Sequence, residues 1–193
     1  ATEINELCGY SPLAIALAGS YLQSNPDLAV DTLVKELREE KRVLKSGGDE
    51  ELNENTNKKE ILDRNIEPIF NVIFRDMRKE TATVLRKLAL FSSSFDEKAV
   101  VAVCGDRDCD HLKRLVSLKF IEHDSVNNRY YFHELLHQLV KAEVRPSERI
   151  LTYRTLAFYY FDILQNANEL YENDEDALES ALNIFDQDWF NIK

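Results

Sequence analysis

The chain has 193 residues, 44% of them hydrophobic and 31% charged, which suits one or two folded domains and excludes a peptide or a disulfide-held miniprotein. Lys and Arg total 24 against 35 Asp and Glu, so the formal charge of -11 repels polyanions and disfavours nonspecific nucleic-acid binding. No apolar run approaches the roughly 18 to 20 residues of a membrane-spanning helix, and none of the five glycines opens a phosphate-loop pattern.

Apolar residues recur at three and four, and Gly and Pro hardly enter segment interiors, so the chain predicts a mainly α fold. Ala1 to Leu7 already reads as helix and no initiator Met precedes it, which suggests a piece excised from something longer. Ser11 and Pro12 form a helix start, launching Leu13, Ala14, Leu17, Ala18 and Leu22 along one face. Asn25 and Pro26 repeat the device for a helix through about Lys45, and the two helices can pair as a hairpin. From Ser46 to Lys59 one apolar residue, Leu52, stands among polar ones, which predicts a mobile loop. Asn65 to Met77 then reads as a helix in which Pro68 must sit in the first turn.

Three short helices follow, Glu80 to Phe91, Asp96 to Cys104 and Asp110 to Leu118, as a trihelical core. The clearest β signal comes next, Phe120 to His123 and Arg129 to Phe132, around a turn rich in Asn and Asp. Three helices and a two-stranded wing are the winged-helix pattern. Beyond it, Glu134 to Glu143 is helical, Pro146 and Ser147 restart the chain, and Glu148 to Glu172 with Asp174 to Phe185 reads as an antiparallel pair that looks like the first unit of a helical repeat array. The expected organisation is therefore a helical domain over 1–60 with a mobile loop at 46–59, a winged-helix domain over 61–145, and a helical extension over 146–193 at the start of a repeat region.

Cys104, Cys109 and His111 bring two thiols and an imidazole together, but a structural zinc site needs four ligands. The alternative makes Cys104 the buried end of a helix, with Asp108 to Asp110 capping the next. An odd set of three cysteines and no signal-peptide pattern fit a reducing cytoplasm. The carboxylates between Arg154 and Lys193 read as a solvated helix face, and Tyr153, Phe158, Tyr159, Tyr160 and Phe161 as core packing, with a partner groove as the second reading. DNA recognition by the winged helix would rest on His111, Lys113 and Arg114 plus Lys119 and Arg129 of the wing, opposed by Glu122 and Asp124. That footprint is thin and points to a winged helix used for protein packing.

Three stretches together carry a resemblance. Leu7-Cys8-Gly9-Tyr10-Ser11-Pro12-Leu13-Ala14 resembles the glycine, any, proline, leucine, alanine motif of the NB-ARC branch of the STAND signalling ATPases. Leu85 to Phe91 with Phe95, Leu112, Leu115, Leu118 and Ile121 is similar to that family's winged-helix domain, and Tyr131-Phe132-His133-Glu134-Leu135-Leu136 looks like its Met-His-Asp motif. Phe132 stands where the motif has Met, and Glu134 where it has Asp.

The resemblance implies that Pro12 packs against the adenine of a bound nucleotide and that His133 donates a hydrogen bond to the β-phosphate of ADP. It implies a regulatory piece of a nucleotide-switched ATPase, itself no enzyme and holding no cofactor alone, in a cytoplasmic parent that binds ADP or ATP with magnesium. The partners implied are the parent's own nucleotide-binding domain and, on activation, further copies of the protein; the short apolar runs speak against a membrane and the charge of -11 disfavours nucleic acid. The alternative is a winged-helix transcription regulator with a helical effector domain.

Overall fold

The computed structural model describes residues 2–46, 58–173 and 178–192, so most of the expected mobile loop, 47–57, lies outside the described residues. The described chain is mainly helical with one two-stranded antiparallel sheet, and it divides into two compact units.

The first unit comprises residues 1–82 and 115–120. It holds α1 (Thr2–Leu7), α2 (Pro12–Ser24), α3 (Val30–Ser46) and α4 (Lys58–Asp76). Helix α4 is its centre, packing on both α2 and α3. Leu17, Leu33, Leu37, Ile66, Ile69 and Phe70 are fully buried there, and the Phe70 ring lies 5.3 Å from Phe74 and 6.0 Å from Phe120. The Tyr21 hydroxyl donates to Asp76 at 2.7 Å, tying α2 to the end of α4.

Two expectations fail in this unit, for identifiable reasons. The helix expected from Asn25 and Pro26 begins only at Val30, because Asn25 is engaged as the C-cap of α2 and its side chain donates to Tyr21 O at 2.9 Å. Pro68 does not sit in a first turn: α4 starts at Lys58, so the ring lies in the helix interior, where it removes one backbone donor and crowds the preceding turn. That costs roughly 3 kcal/mol. Burial of Ile66, Ile69, Phe70 and Ile73, each contributing about 1.5–3 kcal/mol, outweighs it.

The second unit comprises residues 83–114 and 121–193. After α5 (Lys79–Leu88), whose first residues belong to the other unit, α6 (Glu97–Ala99) runs into a π-helical turn over Val100–Cys104. That turn ends on Gly105, left-handed at φ 76, and the Lys87 ammonium donates to its last carbonyl, Cys104 O, at 3.3 Å. Helix α7 (Asp110–Ser117) leads to β1 (Ile121–Asp124) and β2 (Arg129–Phe132), paired with Asp124 opposite Arg129. Phe95 adds a bridge to Tyr130 through two backbone bonds of 2.9 and 2.8 Å.

Helix α8 (Glu134–Ala142) follows the sheet, then α9 (Pro146–Asn173) and α10 (Leu178–Ile192) pack as a hairpin. Helix α10 runs well beyond Phe185, where the sequence pattern predicts its end. The ion pair of Arg86 and Glu148, at 2.8 Å and largely shielded from solvent, joins α5 to the start of α9.

Candidate functional site

Pro12 stands in the first unit at a sharply built helix start. Gly9 and Tyr10 both adopt left-handed backbone, φ 57 and 55, which turns the chain within a few residues and closes α1 with Tyr10 N–H donating to Asn5 O at 2.9 Å. Gly9 is required twice over: a Cβ there would approach the Asn65 carboxamide to 2.3 Å, and the backbone region itself disfavours L side chains. Ser11 then caps α2, its hydroxyl accepting from Ala14 N at 3.4 Å. Pro12 occupies the first turn of that helix with its ring exposed.

His133 stands in the second unit at the junction of β2 and α8. It is the N-cap of α8, with extended backbone at φ -64 and ψ 133, and its Nδ1 accepts from Leu135 N at 3.3 Å. A ring nitrogen that accepts carries no proton, so in the neutral imidazole the proton sits on Nε2. Among the described residues no acceptor bonds that Nε2–H, which leaves His133 half-buried with one directional donor uncommitted.

His137, one turn further along α8, faces a different task. Its Nε2 lies 2.7 Å from Ala89 O, and because a carbonyl can only accept, the imidazole donates. The same ring stacks on Phe132 at 5.2 Å between centroids. Phe132 thus supplies a flat partner for His137. Glu134 places a carboxylate in the first turn of α8, where the helix dipole favours it.

The other candidate groups resolve into structural roles. Cys104 is buried at the end of the π turn, where burial pushes its thiol up to about 12, opposite to the lowered value a reactive or metal-bound thiolate needs. Cys109 is raised by burial and then by neighbouring carboxylates. The cap of α7 is Asp106 and not the expected Asp108 to Asp110: its buried carboxylate accepts from Leu112 N at 2.9 Å. Among the described residues no group of three or more His, Cys, Asp or Glu side chains could hold a metal ion.

Of the basic residues counted toward DNA recognition, Arg129 is turned inward. It pairs with Asp188 at 2.7 Å and donates to Ser94 O at 2.6 Å, with only 11% of its side chain exposed. Lys113 reaches Asp108 O at 2.7 Å and Asp110 at 3.6 Å.

The aromatic run on α9 departs from its expected core role. Tyr160 is buried, its ring 6.5 Å from Phe91, whereas Tyr153, Phe158 and Phe161 are 43%, 59% and 55% exposed. At about 100° per residue the four consecutive aromatics sweep most of the way round the helix, so one buried face cannot take them all. Beside the exposed ones lies a half-open apolar cavity of about 340 Å³, walled by Phe91, Ala157, Phe161, Leu164 and Ile192 among others.

No family model, curated protein or solved structure matches this chain. No helix among the described residues is long and apolar enough to cross a membrane.

Proposed function

We propose that the chain is a regulatory part of a nucleotide-switched STAND ATPase, coupling the ADP or ATP state of a parent protein to opening and self-association. The observation that carries this reading is the chemistry of His133: Nδ1 is held as an acceptor by the helix it caps, and Nε2–H is a donor without a partner among the described residues. A donor of that kind suits a phosphate oxygen, where a hydrogen bond to a charged group contributes about 1.5–3 kcal/mol. The order of α5, α6, α7 and the β1–β2 hairpin supports reading this stretch as a winged helix, and the α9–α10 pair supports the start of a helical array. In this reading Pro12 offers its exposed ring to adenine, and the nucleotide with its magnesium is held mainly by a separate phosphate-loop domain. The inward-turned Arg129 weakens the alternative of a DNA-binding regulator, since it removes a wing cation from any phosphate contact.

The deciding experiment uses the full-length parent protein and separates the cap from the donor. His133→Asn keeps a good N-cap acceptor but has no group at the Nε2 position. Retained ADP after gel filtration should fall by roughly ten- to a hundredfold in affinity terms and the protein should self-associate, while α8 stays folded. A His133→Asn protein that keeps its ADP and remains monomeric would reduce His133 to a helix cap and end the nucleotide reading.

A further inference from the structure

Helix α10 carries Leu178, Leu182, Phe185 and Trp189 at spacings of four, three and four, which places them on one line along one face. Leu178, Leu182 and Trp189 are 45%, 51% and 41% exposed, and the Phe185 and Trp189 rings are 5.0 Å apart. The helix is held by a different face: Asp188 pairs with Arg129, and Asn191 accepts from Ser93 N at 2.8 Å and donates to Ser94 O at 2.7 Å. The stripe is therefore presented on an anchored helix, over about 16 Å at 1.5 Å per residue. A row of large apolar side chains at helical spacing marks an interaction surface more than the single exposed residues normal on any protein.

Charge decides the occupant. Every charged side chain from position 155 to position 192 is a carboxylate. Glu179 and Asp186 lie roughly 70–90° round α10 from the stripe at 100° per residue, both on the same side, where one flank of a helix laid on the stripe would pass. A second copy would bring a like-charged surface against this one and add to a net charge of -11, and an anionic lipid surface would be repelled in the same way. We infer that the Leu178–Trp189 face of α10 docks a cationic amphipathic helix, whose apolar side covers the stripe and whose Lys or Arg flank meets the carboxylates. This inference does not depend on nucleotide binding.

Trp189 is the single tryptophan of the chain and reports its own environment. The test titrates the 193-residue protein with two synthetic helical peptides sharing one leucine face, one with Lys at all other positions and one with Glu. The Lys peptide should move Trp189 emission to shorter wavelength, saturably, with an affinity that falls as salt rises; the Glu peptide should not bind. Leu182→Ser should weaken the Lys peptide about tenfold or more. Val126→Ser, at a 90% exposed turn position, should leave it unchanged. Unchanged Trp189 emission, equal binding of both peptides, or equal binding by Leu182→Ser would overturn the proposal. A blue shift that follows protein concentration without peptide, with a dimer in sedimentation, would assign the stripe to a second copy instead.

Discussion

Arg129 and Asp188 form the interaction whose removal should be felt most. Their side chains are 11% and 13% exposed, their nitrogen and oxygen 2.7 Å apart, and Arg129 also donates to the hydroxyl and carbonyl of Ser94 at 3.1 and 2.6 Å. Breaking a fully buried pair typically costs about 3–5 kcal/mol, because the remaining charge is left desolvated. Here the Ser94 bonds and a little solvent access compensate part of that, so Asp188→Ala should lose about 2–3 kcal/mol. Urea unfolding followed by far-ultraviolet circular dichroism and by Trp189 emission measures it, the fluorophore sitting one residue from the substitution. Arg129→Met with Asp188→Leu removes both charges and should recover at least half of the loss. A loss below about 0.5 kcal/mol for Asp188→Ala would class the pair with solvent-screened surface bridges and return Arg129 to the exposed basic surface.

Gly9→Ala should cost more than Gly105→Ala: both carry the left-handed penalty of about 1–2 kcal/mol, but only Gly9 adds a clash, with Asn65 at 2.3 Å. Adding Asn65→Ala should close the gap in denaturant titrations, and equal single losses would remove the close-approach argument. Stability should hold to about pH 8 and fall as pH rises from there to 12, since burial pushes Cys104 up to about 12 and raises Cys8, burial and then the Glu97 hydrogen bond push Tyr130 up to about 12, and burial also raises Tyr21, Tyr159 and Tyr160. These groups hold their protons longer when folded, so stability is lost above their unfolded values, about 8.5 for the thiols and about 10 for the tyrosines; a rise in stability over that range in a pH series would refute it. His137→Ala should lose about 1–3 kcal/mol through its bond to Ala89 O and the Phe132 stack, whereas His133→Asn in the isolated chain should change stability by less than about 0.5 kcal/mol. Equal thermal shifts would contradict the division of roles between the two imidazoles.

What the sequence makes legible is mostly local. Ser11 followed by Pro12 announces the start of α2 because a hydroxyl cap and a fixed φ act within one turn. The hairpin is equally local, since Asp124 accepts from Val126 N and Asn127 N inside its own turn. Asn25 and Pro26 look the same on paper as Ser11 and Pro12, yet Asn25 closes the helix before it instead of opening the next. A polar side chain beside a Pro reports a helix boundary without reporting which side of it the helix lies on. Pro68 is misplaced for the opposite reason: its local cost is real, and a buried apolar face recruited from α2 and α3 outweighs it. No window of sequence contains that face.

The same division explains the candidate residues. His133 is legible as a junction residue because capping is a short-range act, but the state of its ring follows from one hydrogen bond of the fold: an accepting Nδ1 is what makes Nε2–H a donor. Arg129 reads as an exposed wing cation from its position opposite Asp124 in the turn, and only a carboxylate 59 positions later turns it inward. The long helix α9 carries the argument furthest. Thr152, Leu156, Tyr160 and Ala167 share its buried face, while Tyr153, Phe158 and Phe161 leave a second apolar face exposed, so the helix has no single polar side for a periodicity search to find. One apolar face of α9 joins the unit's own core, and the pattern of the other reaches the sequence only as an unbroken run of aromatics, Phe158 to Phe161, which reads as core until the helix is seen to leave Phe158 and Phe161 exposed.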